Sequence, residues 1–272
     1  IMGGLAALWV GIHVSMPMII HIPVAIVAAI VGGGIWGGIS GLLKAKTGAH
    51  EVITTIMLNF IAAFFALYIL KTSVFQAENS NLPLSAPVQE SARFPAIFGS
   101  QYRVSIALII AIGAVFFVQW LLYRSTLGFE FRAAGANPTA SRYAGMNVAV
   151  LYTLVMAISG ALAGIAGATM TIGLAPYQAS PDFAGTIGFD AIALALLGRS
   201  NPFGVLWSGL LFGALIAGGR NMQGAAGVPV DLVIVMQSLI IVFIAAPILV
   251  RAIFRMKKTD VETTQVTKGW GA

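Results

Sequence analysis

Residues Ser125–Val148 read STLGFEFRAAGANPTASRYAGMNV, and their flanks decide what this segment can be. Behind it runs Val104–Tyr123, VSIALIIAIGAVFFVQWLLY; ahead of it runs Asn147–Leu174, NVAVLYTLVMAISGALAGIAGATMTIGL. Both flanks are apolar over enough residues to cross the roughly 30 Å hydrocarbon layer of a bilayer as helices. A glycine-punctuated segment bearing Arg132 and Arg142 between two such runs is a connection lying outside the hydrocarbon.

Composition extends that reading to the whole chain. Its 272 residues are 58% hydrophobic and only 9% charged, with a mean hydropathy of +0.93. A soluble domain carries about 25% charged residues, so this chain cannot cover a water-facing surface and is an integral membrane protein. The net charge of +6 comes from scattered loop residues. No basic cluster is interleaved with aromatics, so the charges orient the protein and no nucleic-acid partner is implied. There is no cysteine, which removes disulfides, thiolate metal sites and a cysteine nucleophile.

Apolar runs fall at Met18–Leu43, Val52–Leu70, Val104–Tyr123, Asn147–Leu174, Phe203–Gly219 and Val230–Val250. Ile1–Val14 reads as part of another, and Thr186–Leu197 is apolar but short. Parity decides whether that short run crosses. With it crossing, one side receives Lys44, Lys46, Arg124, Arg132, Arg142, Arg199 and the basic residues Arg251, Arg255, Lys257, Lys258 and Lys268. The other side receives only Lys71, Arg93, Arg103 and Arg220. This asymmetry follows the positive-inside rule and disappears if the run does not cross. The expected fold is therefore all-α, a polytopic membrane helix bundle with about eight membrane segments. Residues 1–250 form its transmembrane domain, with loop 124–146 cytoplasmic and loop 71–103 external, and 251–272 form a cytoplasmic tail. The opening IMGGLAALWVG starts in apolar sequence without a leading Met, and further spans are expected ahead of it.

Glycines recur at helix-packing spacing in Gly33/Gly37, Gly34/Gly38, Gly37/Gly41, Gly160/Gly164 and Gly209/Gly213, a pattern that lets helix backbones touch in lipid. The loop itself reads as two short helices. Thr126–Ala134 is expected to end at Gly135, where glycine accepts a positive φ. Asn137 then caps a second helix with Pro138 at its first position, stopping at Gly145. On that helix Ala140, Tyr143 and Ala144 share a face, while Ser141 and Arg142 point elsewhere. Such a capped amphipathic helix suits a docking surface for a cytosolic partner, and equally an interfacial helix resting on headgroups.

The residues Gly128, Arg132, Ala133, Gly135, Asn137, Pro138, Ala140, Tyr143 and Gly145 make this stretch resemble the coupling loop of ABC-importer permeases in the branched-chain amino acid and simple-sugar superfamily. Gly41–Ala62, GLLKAKTGAHEVITTIMLNFIA, and Gly188–Pro202, GFDAIALALLGRSNP, resemble its nucleoside branch. The opening residues resemble the middle of such permeases. The resemblance implies a transport subunit without chemistry of its own. Its partners would be ATP-binding cassette subunits, a second permease (identical or sister), an extracytoplasmic substrate-binding lipoprotein of the Bmp type, and membrane lipid. It also implies no cofactor on this chain, ATP being bound by the partner. In agreement, the sequence holds no GxxxxGK[ST] phosphate loop, HExxH or GxSxG motif.

Polar groups within apolar runs are functional candidates. Asp190 is either a hydrogen-bond acceptor for a ribose or base, or a structural partner for a nearby backbone or Asn group. Asn59, one turn after Thr54 and Thr55, either lines a substrate path or bonds between helices, and Gln237 is a similar case. Gln119 and Trp120 read as interfacial, His13 and His21 as solvated residues flanking an external turn, and Glu51 with Lys44 and Lys46 as a headgroup-level cluster. The competing function, an ion-coupled secondary transporter, would place several ionisable groups near the midplane, where this chain offers one.

Overall fold

The computed structural model describes residues 1–77, 82–97, 105–227, 229 and 231–245. Ten helices run through them: α1 Met2–His13, α2 Met18–Thr47, α3 Glu51–Leu70, α4 Ala107–Arg124, α5 Thr126–Ala136, α6 Pro138–Tyr143, α7 Val148–Ile172, α8 Ile187–Leu197, α9 Pro202–Ala226 and α10 Asp231–Ala245. Apart from two isolated bridges, Gln76 with Ser85 and Ala96 with Ser105, the described residues hold no β-structure. Five helices, α2, α3, α4, α7 and α9, are long and apolar enough to cross a membrane, and α1, α8 and residues 231–240 are shorter apolar helices. Their apolar side chains stand exposed, among them Phe60, Phe64 and Tyr68 on α3 and Ile109, Phe116 and Trp120 on α4. In water that surface would be an aggregation hazard; in lipid it is matched. The tail 251–272 and the far end of the last apolar run lie outside the described residues.

The helix ends follow local chemistry. α2 stops at Gly48, which takes φ 68° and returns its N–H to the Lys44 carbonyl, the left-handed cap that glycine adopts without a Cβ penalty. Asn201 begins α9 by accepting from the Phe203 and Gly204 amides, with Pro202 at the first helical position.

The chain divides into two compact units, the first being Ile1–Phe189 and the second starting at Asp190. The centre of the first unit is the packing of α1 and α7 against α2. As residue numbers rise along α2 they fall along α7, so the two helices are antiparallel: a methyl on Gly37 would lie 2.5 Å from the Met156 carbonyl oxygen, and one on Gly41 2.7 Å from the Thr153 Cα. The glycine spacing therefore packs helices on α2 and α7 as expected. The Gly209/Gly213 pair does not, since a Cβ at either meets nothing within 4 Å among the described residues.

One end of this packed group is capped by segment 82–97 together with 173–186. Gln89 donates its amide to Gly11 O at 3.0 Å and its side-chain Nε2 to Ile12 O at 2.8 Å. Phe94 N donates to Ile172 O at 3.1 Å, while Ser85 N and Val88 N donate to Ala179 O and Tyr177 O. Leu8, Leu70, Val88, Ala92, Phe94 and Ile172 form the buried core under this cap. His21 corrects the sequence reading: it is fully buried, with Nε2 3.1 Å from Val10 O and Nδ1 2.9 Å from Ser91 Oγ. A turn between two apolar helices looked solvated, but the distant Ser91 strap folds over it. His13 stays exposed and stacks on Trp9 at 5.5 Å.

The opposite end carries α5, α6, the start of α7 and the α2–α3 turn. There Lys44 pairs with Glu51 at 2.9 Å and lies 4.6 Å above the Tyr152 ring, as the charge-cluster reading anticipates for that pair. The second unit is held by its own contacts: Ser208 Oγ on α9 donates to Leu194 O on α8 at 2.9 Å, and Gly219 packs on Val233 of α10.

Candidate functional site

The α5–α6 segment is built to be stiff. Ser125 Oγ accepts from Gly128 N at 2.9 Å and donates to Leu121 O at 2.5 Å, so one hydroxyl joins the end of α4 to the start of α5. Gly128 sits against the Leu121 carbonyl so closely that no side chain fits. Arg132 Nε reaches Gly128 O at 3.4 Å, and its guanidinium lies 5.1 Å from the Tyr123 ring centre. Within the segment Ala133 is half-buried and Ala134 fully buried, and both α5 and α6 contact α7.

Gly135 departs from the sequence reading. The helix does not stop there but continues to Ala136, and Gly135 is absent from the glycines with positive φ, which are Gly48, Gly145, Gly185 and Gly227. The break belongs to Asn137-Pro138, because a proline pushes its preceding residue out of the helical region. Asn137 takes φ −153° and ψ 99°, closes α5 through its N–H to Ala133 O and opens α6 through its side chain. Its Oδ1 accepts from Thr139 N at 3.1 Å and Ala140 N at 3.0 Å. Pro138 stands at the first turn, and Gly145 turns the chain back at φ 84°, as expected.

The predicted face is present and open. Ala140 and Ala144 are exposed and Tyr143 is 90% exposed. Ser141 turns inward to 4% exposure, donating its Oγ to Asn137 O at 3.0 Å, while Arg142 is exposed.

The intramembrane polar candidates are divided between the two units. Asn59 lines a cavity of about 140 Å³ between α2 and α3, with Thr55 of its own helix and Trp36 and Ser40 of α2. Asp190 and Gln237 belong to the second unit. Asp190 lies in the first turn of α8, where the positive end of the helix dipole favours a carboxylate, and it is exposed. Gln237 Nε2 is buried without a hydrogen-bond partner among the described residues, as is Gln119 Oε1 on α4. Trp36 and Ser40 escaped sequence reasoning. Their spacing of four residues on a glycine-rich helix is a signal only once α3 is known to lie opposite.

Five helices long and apolar enough to cross a membrane, two of them joined by this stiff helical connection, define a multi-pass membrane protein. The chain belongs to the family of permease components of branched-chain amino acid transport systems, whose pattern matches residues 1–245. It is 38% identical to the guanosine ABC transporter permease protein NupP of Bacillus subtilis (strain 168), over 95% of this chain and 74% of the relative. It is 33% identical to the nucleoside ABC transporter permease protein NupB of Lactococcus lactis subsp. cremoris, over 99% and 75%. It is 34% identical to the glucose ABC transporter permease protein TsgB13 of Haloferax volcanii, over 90% and 66%. No solved structure matches the chain. Membership of this family does not favour the ion-coupled transporter.

Proposed function

We propose that this chain is a transmembrane subunit of an ATP-driven importer carrying nucleosides, or related simple sugars, across the cytoplasmic membrane by alternating access. The solute class is supported by relatives that are guanosine, nucleoside and glucose permeases. In this reading eight apolar helices cross, loop 124–146 and the tail 251–272 face the cytoplasm, loop 71–103 faces out, and residues 1–250 form one permease domain. ATP is held by separate ATP-binding cassette subunits docked on 124–146. A second permease and an extracytoplasmic substrate-binding lipoprotein complete the assembly.

The observation that carries the docking role is Tyr143, 90% exposed on a helix capped at both ends by Asn137 and Gly145. A partner that pushes on this surface moves a stiff lever, because α5 contacts both α4 and α7. A loosely tethered loop would absorb the displacement. The test is uptake of labelled guanosine by cells expressing the full assembly, with the proton gradient collapsed at constant ATP and an unlabelled nucleoside panel as competitors. Uptake persists and nucleosides compete; uptake that stops with the gradient would sink the reading.

A further inference from the structure

In the cavity between α2 and α3, polar side chains of both helices face an opening inside a membrane-length helix pair. Asn59 stands near the middle of the 20-residue α3, and among the described residues neither its carboxamide nor the Trp36 indole N–H has a hydrogen-bond partner. Thr55 Oγ1 donates to Glu51 O at 2.9 Å and Ser40 Oγ to Gly37 O at 2.7 Å, which leaves the lone pairs of both hydroxyls as acceptors. Asn59 is exposed on this chain, and a carboxamide at mid-span left without a partner in hydrocarbon costs several kcal/mol, so its place beside an opening calls for a polar occupant.

The chemistry of the walls narrows that occupant. No charged side chain lines the cavity. A zwitterionic amino acid would bring an ammonium and a carboxylate with nothing to compensate either, a prohibitive cost away from water. An uncharged solute meets no such barrier. The volume of about 140 Å³ is under half the roughly 300 Å³ at which pockets enclosing a whole drug-sized ligand begin, so it takes one ring system and not a complete nucleoside. Trp36 supplies an aromatic surface, on which a flat heterocycle stacks. Asn59 supplies a donor and an acceptor side by side, the pair that matches the edge of a base.

We propose that the Trp36–Asn59 cavity is a mid-membrane subsite for the base of an uncharged nucleoside, with the sugar left outside it. This rests on the nucleoside reading above and adds the residues that would select the base.

The test uses the full-length chain reconstituted with its ATP-binding and substrate-binding subunits in proteoliposomes, following guanosine, uridine and glucose uptake. Trp36→Ala is expected to raise KM for nucleosides about tenfold, the usual scale for one lost stacking contact. Trp36→Phe should restore KM to within about twofold, and Trp36→Leu, which keeps bulk without an aromatic face, should not. Asn59→Leu should raise KM and alter the guanosine-to-uridine ratio, with the melting temperature of the assembly held. Wild-type assembly that imports no nucleoside refutes the nucleoside reading and takes the subsite with it. Nucleoside import with unchanged KM and base ratio in the variants overturns the subsite alone, as does an effect confined to glucose. Rescue by Trp36→Leu assigns Trp36 to packing. Ile1 and Met2 also border the cavity, and loss of uptake of every solute together with a lower melting temperature means that protein packing fills it. Either result overturns the proposal.

Discussion

Gly33 and Gly160 meet backbone to backbone: a methyl group added to either would land on the other's carbonyl oxygen. Neighbouring positions continue the contact, with Gly164 against the Ala29 carbonyl and Gly3 against the Gly164 Cα. In lipid the hydrophobic effect does not drive helices together, and close backbone approach supplies the dispersion and Cα–H···O contacts that do. The α1–α2–α7 group is thus held by residues that lack side chains.

Gly33→Ala and Gly160→Ala should each destabilise the protein by about 1–3 kcal/mol or more, since the obstacle is backbone that cannot swing aside. Thermal unfolding of purified protein in detergent measures this. Gly113→Ala, at a position where a Cβ meets nothing within 4 Å, is the control and should melt no lower than wild type.

The cysteine-free chain makes sidedness directly measurable. Glu90, whose side chain is 93% exposed, lies on the cap, and Thr139, also exposed, lies on α6 at the other end. Glu90→Cys should react with an impermeant maleimide on intact cells, and Thr139→Cys only after permeabilisation. The reverse pattern would invert the orientation drawn from the basic residues. Ser141 and Ser85, both buried, are poor reporters.

Gly135 and Tyr143 separate stiffness from docking. Because Gly135 is helical and a Cβ there meets nothing within 4 Å, Gly135→Ala should stabilise the protein by about 0.5–1 kcal/mol. Gly145→Val, at φ 84°, should destabilise it by at least about 1–2 kcal/mol. Tyr143→Ala should leave the melting temperature unchanged and lower stimulation of the partner's ATPase several-fold. If stimulation survives that change, the exposed face of α6 does not dock.

His21→Ala removes a buried ring that holds α1 and the cap at once. Leaving Val10 O and Ser91 Oγ without it should cost about 1–3 kcal/mol. The cap should then open locally, which limited proteolysis within 82–97 would register as faster cleavage at a site protected in wild type.

What the sequence determined by itself is the local and the one-dimensional. Long apolar runs had to be spanning helices, because helices satisfy their own backbone in hydrocarbon; α2, α3, α4, α7 and α9 lie where those runs predicted. Asn137-Pro138 and Gly145 placed the ends of α6 for reasons contained in neighbouring residues, and even there Gly135 misled, because glycine permits a helix end without requiring one. The tertiary structure alone decided which glycine stripe is used, with Gly33 and Gly160 engaged and Gly209 and Gly213 meeting no neighbour among the described residues. It also decided that His21 is buried under Ser91, and that Trp36 and Asn59 border one cavity. The reason is physical. In water an apolar face points inward and a polar face outward, so periodicity reports burial. In a membrane the protein interior and the lipid are equally apolar, so α2 and α3 carry no such mark, and only contacts between residues distant in the chain distinguish one face from another.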